Sequence, residues 1–289
     1  MLLLVGAVPA DRLPLIIGPV SLTDRGIKID GHELPINRGN EAMMKAACLI
    51  CQEYGVEPPV GMVAGDIGKR EGSEAIYKHL AEHLPTMGVK VMTLHYVMPD
   101  LKLNKKVLAT VETMKESRPA LIADAGSMYV AKAGGDAKMY DVFTPDIGEA
   151  TFLADEKADH PAYTRGFIFN MEDDVPELIR RAYMGGNAPK TMFVKGAVDY
   201  VCQDGEIVDT IAEPSIETME PIGGTGDLIT GMISGLMHAG RSPLLACRIA
   251  GRVNRAAGEL ANPTPATQVE EILRCLPKAL AKVEKELGL

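Results

Sequence analysis

Short, largely apolar runs recur along the chain at Leu2–Val5, Val60–Ala64, Val89–Leu94, Ala120–Ala123, Val142–Thr144 and Met192–Val194. Such runs are what strands buried on both faces look like. Between them, Glu41–Tyr54, Ser73–Leu84, Lys105–Lys115, Ile147–Leu153 and Val175–Met184 place apolar residues at helical spacing. Gly185-Gly186 closes the last of these as a C-terminal cap. The rhythm predicts a mostly parallel sheet with helices on both faces. Two stretches break it. Leu15–Ile36 alternates without a helical period and is split by Thr23-Asp24-Arg25-Gly26 and Asp30-Gly31, which predicts a small β-ribbon. Val198–Ile211 predicts a hairpin turning at Gln203-Asp204-Gly205. From Leu228 the pattern is helical to the end, with Ser242-Pro243 and Thr267 as helix starts. With no repeat and no linker, residues 1–289 are expected to form one α/β domain. Residues 15–36 would be a small β appendage, either a lid or an oligomer contact.

Composition narrows the function. Apolar residues make up 46% of the chain, enough for a large core. A net charge of −9 without a basic run argues against nucleic acid. No apolar stretch is long enough for a membrane span. Met1–Ala7 lacks a basic leader and reads as a buried strand. Five cysteines without framework spacing indicate a reducing, cytoplasmic setting. Cys48 and Cys51 have redox spacing but lie in an apolar helical stretch behind Asn40, a predicted cap, so core packing is expected. His79-Leu80-Ala81-Glu82-His83 has a peptidase-like zinc spacing. It flanks the stripe Ile76, Leu80, Leu84 and lacks a third ligand, so it reads as a helix face.

Gly223-Gly224-Thr225-Gly226-Asp227 carries the most chemistry. A glycine-rich turn opening a helix turns free N–H groups outward, where they hold a phosphate. A carboxylate there opposes the anion, so Asp227 suits a base that takes a proton from an attacking hydroxyl. Its other reading is a residue that only stabilises the helix start. Asp146 and Glu149, in Thr144-Pro145-Asp146-Ile147-Gly148-Glu149, sit at a strand's carboxyl end and suit a hydrated Mg²⁺. The same pair also suits a plain helix start. Lys195, in Val194-Lys195-Gly196, can reach a phosphate. Asp124 ends another strand. Gly65-Asp66 opens a glycine-rich turn that lacks the Walker A residues. These polar turns converge on one sheet edge, where Gly65, Asp66 and Asp124 are candidates for substrate contact.

Together these segments resemble the ribokinase-like superfamily, and within it the NAD(P)H-hydrate dehydratases. The resemblance rests on the turn Gly65–Leu84, the acid Asp124, Thr144–Glu149, Lys195-Gly196, and Gly223–Asp227 followed by Leu228–Gly231. It implies a three-layer α/β/α sandwich. It implies ATP or ADP with Mg²⁺, an anion hole of Gly223, Gly224, Thr225 and Gly226, phosphate contact by Lys195, and Asp227 as base. It also implies phosphoryl transfer to a small-molecule hydroxyl, followed in a dehydratase by elimination. A small-molecule kinase for a sugar or vitamin precursor fits the same motifs. A non-catalytic nucleotide sensor is the third reading, because Asp146 stands where the dehydratases carry His. The branch also implies a homo-oligomer, with Leu15–Ile36 as the contact.

Overall fold

The structure, a computed structural model, describes residues 1–158 and 174–289. In chain order it opens with β1 (Leu2–Val8), β2 (Ile16–Pro19), β3 (Ser21–Thr23), β4 (Gly26–Ile29), β5 (His32–Pro35) and α1 (Asn40–Glu53). There follow β6 (Val60–Gly65), α2 (Glu71–His83), β7 (Val91–His95), α3 (Leu101–Thr113), β8 (Ala120–Ala123), α4 (Gly126–Gly134), β9 (Val142–Phe143) and α5 (Ile147–Ala154). The rest comprises α6 (Val175–Met184), β10 (Thr191–Val194), β11 (Asp199–Gln203), β12 (Glu206–Ile211), α7 (Thr225–His238), α8 (Pro243–Ala261), α9 (Val269–Leu273) and α10 (Leu276–Leu287).

β1 shows how the layers arise. All of it is buried, and successive side chains of a strand point to opposite faces. Leu2 and Leu4 enter one core with α1, α7, α8, α9 and α10. Leu3 and Val5 enter the other with α2, α3, α4, α5 and α6. The result is the expected three-layer α/β/α sandwich. Its nine-stranded sheet runs β12-β11-β10-β9-β8-β7-β1-β6-β2. The six central strands are parallel. The antiparallel hairpin β11–β12 lies on one edge, and it turns where the sequence predicts.

Local detail sharpens these expectations. Leu15–Ile36 is β-structure, as expected, and it divides in two. Its first piece, β2, pairs antiparallel with β6 and becomes the sheet's other edge. The remainder, β3-β4-β5, is a separate three-stranded sheet whose Ile27, Ile29 and Leu34 are buried in the same core as α1. The chain therefore covers this apolar face itself. Asn40 is not the cap of α1: Gly39 holds that position, and the Asn40 side chain reaches back to donate to the Ala7 carbonyl. α4 lies outside the helices expected from sequence, and Met128, Val130 and Ala131 make it a core helix.

Candidate active site

Four neighbouring parallel strands end side by side. β7 ends at His95, β8 is followed by Asp124, β9 by Thr144–Asp146, and β10 by Lys195. Parallel strands all present their carboxyl ends to one edge, so these residues meet without being near in sequence. A single parallel bridge ties Asp146 to Lys195 at that edge. The N-terminal ends of α1 and α7 arrive from above. Gly224, at φ 105° in the left-handed region, turns the chain into α7.

Asp227 lies in the first turn of α7 and is 8% exposed. The Gly39 N–H donates to its Oδ2 at 2.6 Å. His95 Nε2 lies 3.0 Å from its Oδ1 and 3.5 Å from Asp124 Oδ2. Asp124 is 2% exposed and receives Lys195 Nζ at 3.1 and 3.0 Å on its two oxygens. The Thr230 hydroxyl donates to Asp124 Oδ2 at 2.6 Å, and Thr144 joins Thr230 at 2.9 Å. Burial works to raise the Asp124 carboxyl, but the Lys195 charge, His95 and the Thr230 hydrogen bond outweigh it. Asp124 is therefore held below its ordinary value. Burial works to lower Lys195, yet Asp124, Glu149 and Asp227 lift it above its ordinary range. Both members of this buried pair are thus charged.

Gly6 lets this network form. A Cβ there would lie 2.1 Å from Asn40 Oδ1 and 2.3 Å from the His95 carbonyl, so only glycine lets Asn40 cross β1 to reach His95.

Of the residues expected from sequence, Gly223, Gly224, Thr225, Gly226, Asp227, Lys195 and Asp124 come together. A Cβ on Gly226 would meet Lys195 Cδ at 3.4 Å, which places the lysine stem directly beside the glycine-rich turn. Asp146 and Glu149 adjoin this group but are tied to each other. Asp146 Oδ1 accepts the Glu149 N–H at 2.7 Å, and Glu149 Oε2 accepts the Asp146 N–H at 2.9 Å. The Tyr129 hydroxyl donates to Glu149 Oε1 at 3.0 Å. Burial first, then the Asp124 charge, push the Glu149 carboxyl up to about 8. Glu149 thus has both oxygens occupied. Asp146 is exposed, and among the described residues no donor reaches its second oxygen.

Gly65 and Asp66 lie elsewhere. They line a cleft of about 250 Å³ with Ala10, Arg12, Leu13 and Lys69. The Asp66 carboxylate organises its own turn, accepting from the Gly68, Arg70 and Ser73 N–H groups and the Ser73 hydroxyl. The His79 and His83 rings lie 4.4 Å apart and tilted at 49°, without a third ligand among the described residues. Cys48 and Cys51 are buried thiols that burial pushes up to about 11 and about 12, as core packing requires. His95, Asp124 and Asp227 bring ligand-type atoms within 4.8 Å of one another. Donors from Lys195, Thr230 and Gly39 already engage the two carboxylates.

Sequence reasoning missed Gly39, Asn40, His95 and Thr230. His95 was within reach: it ends a parallel strand at the edge where ligands bind, one residue beyond the predicted run.

Residues 91–278 match the carbohydrate-kinase family described as NAD(P)H-hydrate dehydratase. An uncharacterized protein of Methanocaldococcus jannaschii is 41% identical over 244 residues, which cover 84% of this chain and 100% of that protein. In fold, the chain is similar to the hydroxyethylthiazole kinase protein of Pyrococcus horikoshii, with a TM-score of 0.53 and 18% identity. That match covers 84% of this chain and 87% of the other. It is similar also to the pyridoxal kinase of Staphylococcus aureus in complex with ADP, with a TM-score of 0.53 and 14% identity over 89% and 87% of the two chains. Phosphofructokinase-2 of Escherichia coli aligns over 97% of this chain and 100% of its own, with a TM-score of 0.55 and 12% identity. The fold is ribokinase-like, and the chain belongs to the carbohydrate-kinase family of NAD(P)H-hydrate dehydratases.

Proposed function

We propose that the protein transfers a phosphoryl group from ATP or ADP to a small-molecule hydroxyl in the manner of an NAD(P)H-hydrate dehydratase. The observation that carries this reading is Asp227, a carboxylate inside the Gly223–Gly226 turn, held on both oxygens by Gly39 and His95. A side chain fixed in this way suits general-base work, because its orientation is set before substrate arrives. Asp227 takes the proton of the acceptor hydroxyl as the hydroxyl oxygen bonds to the terminal phosphorus, while the bond to the bridging oxygen breaks and ADP (from ATP) or AMP (from ADP) leaves. The N–H groups of Gly223, Gly224, Thr225 and Gly226 hold the phosphate oxygens. Lys195, beside Gly226, supplies positive charge while paired with Asp124.

A hydrated Mg²⁺ fits at Asp146, whose second oxygen is uncommitted, with Glu149 holding Asp146 in place. When bound, such an ion offsets charge on nucleotide phosphates. Glu149 itself fits a direct ligand poorly, since both its oxygens already accept hydrogen bonds.

The test is phosphate release from ATP and from ADP, with and without Mg²⁺, in the presence of NADH hydrate or NADPH hydrate. Regeneration of NADH or NADPH is followed in parallel. Phosphate release coupled to that regeneration supports the dehydratase. A stable phosphate ester formed only with members of a hydroxyl-substrate panel assigns the small-molecule kinase instead. Nucleotide binding without turnover in either arm assigns the sensor.

A further inference from the structure

His95 closes β7 directly against Asp227 and is 1% exposed. Its neighbours decide which of its nitrogens carry hydrogen. Asn40 Nδ2 donates to the Ala7 carbonyl, so Asn40 Oδ1 is left as the acceptor of that amide. Asn40 Oδ1 lies 3.1 Å from His95 Nδ1, which therefore donates to it. On the other side of the ring, Nε2 lies 3.0 Å from Asp227 Oδ1 and 3.5 Å from Asp124 Oδ2. Ionised carboxylate oxygens only accept. A bare Nε2 lone pair would face theirs across a site that excludes water. We infer that His95 is held as an imidazolium, with hydrogen on both ring nitrogens, and is a positioning residue for Asp227.

The charges of the cluster agree. Asp124 and Asp227 carry two negative charges and Lys195 supplies one positive charge, while Glu41, the buried acid on α1 near Asp227 and His95, is pushed by burial toward its neutral form. All of these side chains are nearly buried, and buried ions persist only when paired. Imidazolium at His95 balances the second carboxylate. It also gives Asp227 Oδ1 a charge-assisted donor opposite the Gly39 N–H on Oδ2, which fixes the carboxylate plane. The role through Asp227 rests on the function proposed above, whereas the protonation state does not.

The full chain labelled with ¹⁵N-histidine, free of substrate and near neutral pH, tests the state directly by two-bond proton–nitrogen correlation. The six histidines are assigned by substituting the other five singly, so that no His95 variant needs to fold. Two protonated ring nitrogens at His95 are expected. One bare nitrogen overturns the inference, including the case in which the proton sits on Asp227. So does a His95 nitrogen signal that shifts on adding Zn²⁺ or Mg²⁺ alone, because that nitrogen would be a metal ligand. His95→Gln then tests the role. It is expected to lower kcat about ten- to hundredfold, the worth of one charge-assisted hydrogen bond, with ATP affinity by calorimetry unchanged. Unchanged kcat with a folded variant and a doubly protonated wild-type ring would retain the charge state and overturn the positioning role.

Discussion

Glu149 offers a test of the site's electrostatics that needs no substrate. It is 9% exposed and wedged between the Tyr129 hydroxyl and the Asp146 N–H. Burial first, and Asp124 second, raise its carboxyl from the ordinary 4.5 to about 8. Below the ordinary value, Glu149 is protonated folded and unfolded, and its contribution to stability is fully present. As pH rises toward 8, the folded chain keeps a proton that the unfolded chain releases. Stability then falls by about 1.4 kcal/mol per pH unit, to a total of at most about 5 kcal/mol. Above about pH 8 the proton is gone from both states and the loss is complete.

Glu149→Gln has nearly the shape of the neutral acid. Its carbonyl oxygen can accept the Asp146 N–H, and its amide can donate to the Tyr129 oxygen. The variant is therefore expected to match wild type near pH 5 and to exceed it above pH 8 by about 2–5 kcal/mol. Urea unfolding of both proteins in EDTA, from pH 5 to 9, reads the difference. Subtraction removes groups that titrate alike in the two. Parallel curves across the whole range would refute a neutral, buried Glu149.

Asp227→Asn is expected to keep the fold and ATP binding while lowering kcat by about 10²–10⁴-fold; wild-type kcat would reduce Asp227 to a helix-start residue. Lys195→Met leaves Asp124 buried without its ammonium and is expected to cost about 3–5 kcal/mol in urea unfolding, and a loss under about 1 kcal/mol would contradict the pairing. Gly224→Ala forces a Cβ onto φ 105° and to 3.0 Å from Val269 Cγ2, so it is expected to weaken ATP binding measured by calorimetry; unchanged affinity would remove the turn from the phosphate site. β12 is an edge strand with Ile207 and Val208 exposed, so the chain is expected to run as a homo-oligomer by light scattering, and a monomer at micromolar concentration would refute this.

The parallel core was legible because buried strands leave unbroken apolar runs, as at Ala120–Ala123 and Met192–Val194. Val175–Met184 matched its helix because an apolar stripe and a double glycine bound it. α4 escaped because it is only nine residues long and bounded by glycines, too short for a helical period to stand out. β2 escaped because pairing with β6 is a long-range event with no local mark. At the site, Gly223–Asp227 was readable because one contiguous stretch contains its logic. For Asp146 and Glu149 the sequence left a metal site and a plain helix start open, and the structure shows the capping box that joins them at that helix start. At Asp66 the strand end was legible, but nothing local marks the Ser73 hydroxyl as a donor to its carboxylate.

The first ninety residues explain why the site was only half visible. The family match begins at residue 91, so it spans His95, Asp124, Lys195 and Asp227 but not Gly39 or Asn40. Those two residues nevertheless contact Asp227 and His95 directly. The small sheet β3-β4-β5 buries Ile27, Ile29 and Leu34 in the core containing α1, and so contributes to holding the start of that helix where Gly39 meets Asp227. The N-terminal region is thus packed into the domain core through Ile27, Ile29 and Leu34. It supplies the Gly39 contact to Asp227 and the Asn40 contact to His95, and its core residues must fold for those contacts to exist. Removing residues through Ile36 would therefore expose α1 and release Gly39 and Asn40 from Asp227 and His95.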